Sequence, residues 1–188
     1  MSGRAVILYG PPASGKDEVT RALARLDSTF RHYIRLKVGT GRTDGYKMIG
    51  ESELAELRHR GDVLFENTRY GNRYIVDRPR LRAMCKSGSI PVVHLGQVAG
   101  VRAVTSFQAR WLAILLWCSR ETSRERASAR GTIDISSRLD AWDETARDLR
   151  ENGTDDFAVC INTERHRPED VALLIQEWAE LLGVASEH

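Results

Sequence analysis

The sequence has no apolar run of the about 18 residues that a transmembrane helix requires, so no membrane-spanning segment is predicted. A strand is expected from Arg4 onward, which leaves no room for a signal peptide before it and predicts a cytoplasmic location. The cysteines Cys85, Cys118 and Cys160 are odd in number and far apart, so neither disulfides nor a metal site is predicted and the thiols are expected in the core. The formal net charge is only +2, which argues against a general nucleic-acid-binding surface.

The length and composition are typical of one globular domain: 188 residues, of which 41% are hydrophobic and 29% charged, with no internal repeat. Short apolar runs predict strands over residues 4–9, 32–38, 90–95, 111–118 and 157–161. Amphipathic stretches predict helices over residues 16–26, 52–60, 78–86, 98–107, 120–129, 135–150 and 168–182. Apolar strands separated by helices indicate an α/β fold in which a parallel five-stranded sheet is flanked by helices, in a single domain spanning residues 1–188.

A glycine-rich stretch follows the first predicted strand and leads directly into the first predicted helix. Its residues are Gly10, Pro11, Pro12, Ala13, Ser14, Gly15, Lys16 and Asp17. The spacing is that of a P-loop, whose backbone N–H groups and following helix bind phosphate, except that Asp17 stands where Ser or Thr is expected. Lys16 adds a mobile positive charge. The alternative, an ordinary turn, fits less well with a strand directly before the loop and a helix directly after it.

Residues 39–77 interrupt the alternation and are predicted to form an inserted subdomain. The segment 39–45 is too rich in glycine for regular structure, and residues 46–49 and 72–76 predict small strands. The insert carries Arg42, Tyr46, Glu66, Arg69, Tyr70, Arg73 and Tyr74. Guanidinium groups and phenols are suited to binding a phosphorylated acceptor, so we expect an acceptor site here. The alternative is a solvated hairpin whose arginines lie along its surface.

A second basic region, residues 120–138, predicts a helical lid. Arg126 and Arg130 are four residues apart on one helical face, Gly131 ends that helix, and Arg138 begins the next. Arginines on a closing flap suit phosphoryl transfer, because they position the phosphoryl group and neutralise its charge. The alternative is an exposed helix with ion pairs to its own glutamates.

Taken in chain order, these motifs resemble those of the guanylate kinase family over nearly the whole chain. The positions similar to the family's acceptor-binding motifs are Thr40, Arg42, Tyr46, Glu66 and 71–74, and those similar to its lid are Arg126, Arg130, Gly131, Thr132, Arg138 and Leu139. The resemblance implies a P-loop kinase fold with a small acceptor-binding insert. It also implies ATP- and Mg²⁺-dependent transfer of the γ-phosphoryl group to the phosphate of a nucleoside monophosphate.

The resemblance assigns roles to individual residues. It implies that the ATP phosphates are bound by the P-loop and by Lys16, Arg126, Arg130 and Arg138. It implies that the acceptor is bound by Arg42, Tyr46, Glu66 and Tyr74. Because the acceptor phosphate oxygen is itself a nucleophile, no Ser, Cys or His base is expected.

The sequence departs from the family at three places. The segment between Arg42 and Tyr46 is too short to supply the family's second phosphate-binding arginine. His94, Leu95 and Gly96 stand where guanylate kinases have an Asp-x-Asp segment, and Asp17 replaces the hydroxyl residue of the P-loop. A carboxylate is a good oxygen ligand for Mg²⁺, so we hypothesise that Asp17 binds the metal. The Gly-Lys-Asp ending is similar to ribose 1,5-bisphosphate phosphokinases, which also lack the Asp-x-Asp segment. His94 lies at the carboxyl end of its predicted strand and is therefore a candidate for contact with the acceptor. The alternative is a purely structural role.

Three functions therefore remain open at the level of sequence. The first is a kinase acting on a small phosphorylated acceptor, a nucleoside monophosphate. The second is a kinase of the same kind acting on a sugar phosphate. The third is a guanylate-kinase-like binding module that has lost catalysis, against which the presence of Lys16 and three lid arginines argues. No nucleic-acid or membrane partner is expected, and the sequence indicates no oligomeric state.

Overall fold

The computed structural model describes residues 3–41, 43–69, 71–131 and 134–184. Its strands are β1 (Gly3–Tyr9), β2 (Phe30–His32), β3 (Leu36–Val38), β4 (Lys47–Met48), β5 (Val63–Arg69), β6 (Asn72–Asp77), β7 (Ile90–Leu95), β8 (Ala109–Trp117) and β9 (Val159–Asn162). Its helices are α1 (Lys16–Leu26), α2 (Glu51–His59), α3 (Arg78–Lys86), α4 (Val98–Thr105), α5 (Arg120–Ala129), α6 (Ile135–Asn152) and α7 (Pro168–Val184).

The central sheet has five strands, all parallel, in the order β2-β7-β1-β8-β9. β1 lies in the middle of the sheet, and Val6, Ile7 and Leu8 are fully buried because helices cover both faces. Val6 and Leu8 pack with α1 and α7 on one face, whereas Ile7 packs with α3 and α4 on the other. The predicted α/β class and the parallel five-stranded sheet flanked by helices are confirmed.

A second sheet has four strands, in the order β4-β3-β6-β5, with α2 packed against it. The single strand predicted over residues 32–38 is wrong, because the chain leaves the parallel sheet after β2 and β3 then pairs antiparallel with β6. The sequence pattern predicts no strand at the position of β5. The second half of β5 is polar, so it lacks the apolar pattern from which a strand is predicted, and its pairing with β6 determines its conformation.

One buried pair joins the places where the chain leaves the central sheet and returns to it. The hydroxyl of Tyr33 donates to Asp77 Oδ2 (2.7 Å), and the backbone N–H of Asp77 donates to the same hydroxyl oxygen (2.9 Å). Asp77 also caps α3 by accepting from the N–H of Arg80 (2.9 Å). The second sheet therefore begins and ends at a fixed point.

The helix bounds follow the sequence prediction closely. α1, α3 and α5 have the predicted limits, and α6 and α7 each run two residues further than predicted. Among the helices in the described ranges, none combines the length and apolar composition needed to cross a membrane.

The cysteine prediction holds only in part. Cys118 is buried and Cys85 is partly buried, but Cys160 is exposed. Cys160 lies on the edge strand β9, where one face of a short strand remains open to solvent. The expectation that all three thiols lie in the core is therefore wrong for Cys160.

Candidate active site

The P-loop joins β1 to α1 at the carboxyl end of the central strand. Gly10 has φ 156°, and a Cβ there would lie 2.1 Å from the carbonyl oxygen of Leu116, so the loop turns beneath β8 only with glycine at this position. Gly15, at the N-cap of α1, has φ 90°, and Ala13 takes the left-handed conformation with φ 59°. Because Gly15 has no side chain to cap the helix, the first N–H groups of α1 are available for an anion.

Lys16 folds its side chain back over the loop. Its ammonium donates to the carbonyl oxygens of Gly10 (2.7 Å) and Pro11 (2.8 Å) and to Ser14 Oγ (3.2 Å). Removal of the ammonium from water lowers the pKa of Lys16 to about 8, an effect that the nearby carboxylate of Asp17 partly opposes. The charge is thus held by neutral oxygens at the place where a phosphate would bind.

A cavity of about 760 Å³ extends from the P-loop to the second sheet. The P-loop, the carboxyl end of β7, the inner face of the second sheet and the start of α6 form its walls. Its basic lining residues are Lys16, Arg35, Lys37, Arg69, Arg130 and Arg138, and its acidic ones are Asp17 and Asp134. The lining thus has six cations against two carboxylates, although Arg69 and Arg130 are also paired with Glu144 and Glu18. An excess of positive charge suits a ligand with phosphate groups.

Two cations and two phenols form one wall of the cavity, which we call the cationic wall: Arg35, Lys37, Tyr46 and Tyr74. The Cζ atom of Arg35 lies 5.2 Å from the centre of the Tyr74 ring, and its guanidinium donates a hydrogen bond to Tyr46. Burial lowers the pKa of this guanidinium. Lys37 is 2% exposed, and its ammonium donates to the carbonyl oxygen of Thr40 (2.6 Å). The rings of Tyr46 and Tyr74 are 5.1 Å apart.

Sequence reasoning missed the two cations of the cationic wall, Arg35 and Lys37. They lie two residues apart in a stretch whose apolar pattern predicts a buried strand. Side chains at alternate positions of a strand share one face. Two basic residues at such positions in an otherwise apolar run were the available signal for a charged, partly buried surface.

The edge strand β5 of the second sheet lines another part of the cavity. Its residues there are Phe65, Asn67 and Arg69, which lie on one face of the strand. The guanidinium of Arg69 donates to the carbonyl oxygen of Gly96 (3.4 Å) and lies 3.5 Å from the carboxylate of Glu144. Asn67 Oδ1 is buried and accepts no hydrogen bond from the described residues. A ligand with an N–H or O–H group could donate to it.

The predicted acceptor residues are only partly brought together. Tyr46, Tyr74 and His94 line the cavity. Glu66 does not, because the alternation of β5 turns it away from Phe65 and Asn67, and its carboxylate accepts two hydrogen bonds from Arg58 (2.6 and 3.1 Å). Arg42 lies outside the described residues. The binding roles of these residues stay predictions.

The predicted lid arginines are divided between two cavities. Arg138 lines the large cavity, Arg126 lines a smaller one of about 170 Å³ beside Gly15, and Arg130 lines both. Arg126 donates to the carbonyl oxygens of Ala13 (3.1 Å) and Thr163 (2.8 Å), so it ties α5 to the P-loop. Arg130 lies 3.2 Å from the carboxylate of Glu18.

His94, at the end of β7, contacts two residues of α1, Thr20 and Asp17. Its Nε2 is 2.7 Å from the hydroxyl of Thr20, and its Nδ1 is 3.5 Å from Asp17 Oδ1. Burial, together with the positive charge of neighbouring groups, holds the pKa of His94 well below its usual value, so the ring is neutral at pH 7. Asp17 is exposed on its other side and lines the large cavity.

Glu164 supports the segment that holds Arg126. Its carboxylate accepts from the N–H (2.9 Å) and hydroxyl (2.6 Å) of Ser119, and these hydrogen bonds lower the pKa of Glu164 to about 2. A lowered pKa stabilises the folded state above about pH 4.5, and this contribution is lost as the pH falls through about 2.

Glu164→Gln should therefore lower Tm at neutral pH by an amount that shrinks on acidification. Thermal melts from pH 7 to 2 measure it, with Glu53→Gln on the exposed face of α2 as control. A difference in Tm that stays constant across the range would contradict the assignment.

Comparison with known proteins places this geometry in a fold class. No family model and no curated protein matches the chain. Among solved structures, the chain is similar to guanylate kinase from Anaplasma phagocytophilum, with TM-score 0.63 and 14% identity over 100% of this chain and 88% of that one. It is also similar to shikimate kinase from Acinetobacter baumannii in complex with shikimate, with TM-score 0.52 and 14% identity over 96% and 95% of the two chains. The chain therefore has the P-loop kinase fold. At this identity the likeness concerns the fold alone.

Proposed function

We propose that the protein is a phosphotransferase that moves the γ-phosphoryl group of ATP to the phosphate of a small phosphorylated acceptor. The observation that carries this proposal is that one cavity joins the P-loop with Lys16 to the cationic wall. A donor phosphate chain on the first and an acceptor phosphate on the second would face each other across the cavity. Such positioning, together with neutralisation of charge, supplies most of the catalysis in phosphoryl transfer.

On this proposal each group of residues has one task. The N–H groups at the start of α1 and the ammonium of Lys16 bind the donor phosphates, and Arg130 and Arg138 neutralise charge on the transferring group. The cationic wall binds the acceptor's phosphate. An oxygen of that phosphate forms the new bond to the γ-phosphorus as the bond to the β–γ bridging oxygen breaks, so the products are ADP and a diphosphorylated acceptor. No side chain has to become covalently attached.

Mg²⁺ is the metal that such a reaction would use, and the exposed carboxylate of Asp17 beside Lys16 fits it as an oxygen ligand. Within the described residues no group of three or more His, Cys, Asp or Glu side chains converges on a metal position. Protein ligands would therefore be few, with phosphate oxygens and water completing the coordination. When bound, the ion would shield the negative charge of the phosphates.

We propose a nucleoside monophosphate as the acceptor. The aromatic ring of Phe65 and the buried, unsatisfied Oδ1 of Asn67 could receive a planar base with a hydrogen-bond donor on its edge. A sugar phosphate is the second candidate. Its support is the excess of six cations over two carboxylates in the cavity, together with the position of Glu66 outside it.

The test is ADP release from ATP across a panel of nucleoside monophosphates and ribose bisphosphate. We expect turnover that depends on the acceptor, with at least one nucleoside monophosphate as a substrate. Turnover with ribose bisphosphate alone would support the second candidate. No turnover with any acceptor, combined with tight binding of a phosphorylated peptide, would overturn the proposal in favour of a binding module.

A further inference from the structure

The hydrogen-bond contacts of Thr20 fix the position of the proton on His94. The hydroxyl of Thr20 has one hydrogen but two close neighbours, the carbonyl oxygen of Lys16 (2.8 Å) and Nε2 of His94 (2.7 Å). If the hydroxyl donates to the carbonyl, its oxygen accepts from Nε2–H and both contacts are hydrogen bonds. If it donates to Nε2 instead, two oxygens lie 2.8 Å apart with no hydrogen between them. The first arrangement is the favourable one.

Nδ1 of His94 then carries a lone pair and no hydrogen. It faces Oδ1 of Asp17 at 3.5 Å, which is longer than the usual range for a hydrogen bond. Two electron-pair donors, one nitrogen and one carboxylate oxygen, therefore face each other on the wall of the cavity next to Lys16. The positive charges of Lys16 and Arg35 already act on His94 from nearby. A cation between the two atoms would accept an electron pair from each of them.

We propose that Asp17 and His94 form a two-ligand site for a divalent cation, and that the imidazole nitrogen makes this site prefer Mn²⁺ to Mg²⁺. Two ligand atoms about 2.1 Å from one metal lie about 3.0 to 3.5 Å apart at bond angles between 90° and 110°, so the observed separation needs little adjustment. Imidazole is a common ligand of first-row transition metals, whereas Mg²⁺ prefers oxygen.

The remaining ligands would come from the nucleotide and from water. This point rests on the proposed function, because it assumes that a phosphate chain lies along the P-loop. The two ligand atoms that the protein supplies do not depend on this assumption, since both are in place without a nucleotide. Asp17 follows Lys16 directly, so a cation on this pair would lie beside the phosphate-binding ammonium.

The experiment is a titration of the full-length protein with Mn²⁺, followed by EPR, with and without ATP, and a competition with Mg²⁺. We expect Mn²⁺ to bind at least about tenfold more tightly than Mg²⁺, and His94→Gln and Asp17→Asn each to lower the Mn²⁺ affinity by at least about tenfold. The side-chain amide that His94→Gln introduces can still donate to Thr20, so the helix contact is retained. Glu53→Gln is the control, because Glu53 is an exposed carboxylate on α2 that lines neither cavity containing Asp17 and His94, and it should leave the affinity unchanged. Unchanged Mn²⁺ affinity in His94→Gln, or equal affinity of the wild type for both ions, would overturn the proposal.

A second measurement needs no variant. In ¹⁵N-labelled wild-type protein without metal, NMR should find Nε2 of His94 protonated and Nδ1 unprotonated, and addition of Zn²⁺ should shift Nδ1. A protonated Nδ1 would overturn the proposal even if a variant failed to fold. Absence of Mn²⁺ binding at this pair in the wild type, with turnover intact, would count against this inference alone, whereas cation binding without turnover would count against the proposed function alone.

Discussion

Replacement of Lys16 by Ala is expected to lower kcat by about a hundredfold to a thousandfold. The ammonium of Lys16 lies on the P-loop and lines the large cavity. Its three oxygen partners hold it at the expected phosphate position. Its loss removes a charge that would bind the transferring phosphoryl group more strongly in the transition state than in the ground state. Acceptor-dependent ADP release, measured at saturating ATP, would report the effect.

The fold should survive this change, because the partners of Lys16 are loop oxygens that water can reach once the side chain is shortened. Circular dichroism and thermal melting of the variant should match those of the wild type within a few degrees. Lys86→Ala removes a lysine from the exposed end of α3 and serves as the control, with activity unchanged. A Lys16→Ala variant with nearly full activity would count against a donor site at the P-loop.

The second large effect is expected for Arg35→Gln, which should raise the KM for the acceptor by about tenfold to a hundredfold and leave the KM for ATP nearly unchanged. In the described ranges, no carboxylate lies within ion-pair distance of Arg35, whose guanidinium is instead held by Tyr46 and the ring of Tyr74. Because no nearby carboxylate of the described residues neutralises the positive charge of this guanidinium, the charge can attract the phosphate of a ligand. Initial rates at varied acceptor and fixed ATP would separate the two KM values.

Glu66→Gln is the informative comparison for Arg35→Gln. The carboxylate of Glu66 is paired with Arg58 on the face of β5 away from the cavity, so its loss should leave the acceptor KM within about twofold. The sequence resemblance predicts instead that Glu66 binds the acceptor. A large rise in acceptor KM for Glu66→Gln, together with none for Arg35→Gln, would mean that the acceptor binds outside the large cavity.

The middle of the central sheet could be predicted because β1, β7 and β8 are largely buried on both faces and are therefore mostly apolar. The edge strand β2, which contains Arg31 and His32, has no such pattern. The P-loop could be predicted because its conformation depends on glycines at fixed spacing, as the crowding at Gly10 demonstrates. Both features are encoded locally, in runs of about ten residues or fewer.

The wall of the cavity formed by the second sheet was harder to predict because strand pairing determines which side chains face inward. The register of β5 against β6 decides that Phe65 and Asn67 face the cavity while Glu66 does not, and no local pattern in this polar stretch fixes that register. Likewise, Arg35 and Lys37 line the site only because β3 separates from β2 and joins the second sheet. The resemblance to a family named Tyr46 and Tyr74, which line the cavity, but it did not name Arg35, Lys37, Phe65 or Asn67.

The buried pair of Tyr33 and Asp77 joins both ends of the second sheet to the rest of the fold. Both ends of this sheet are fastened at one point on the parallel sheet, and the P-loop lies on a separate connection. Residues between these two ends could therefore change during evolution while the P-loop and the parallel sheet stay as they are. On the proposed function, a chain built in this way could acquire a new acceptor without a change in its donor site.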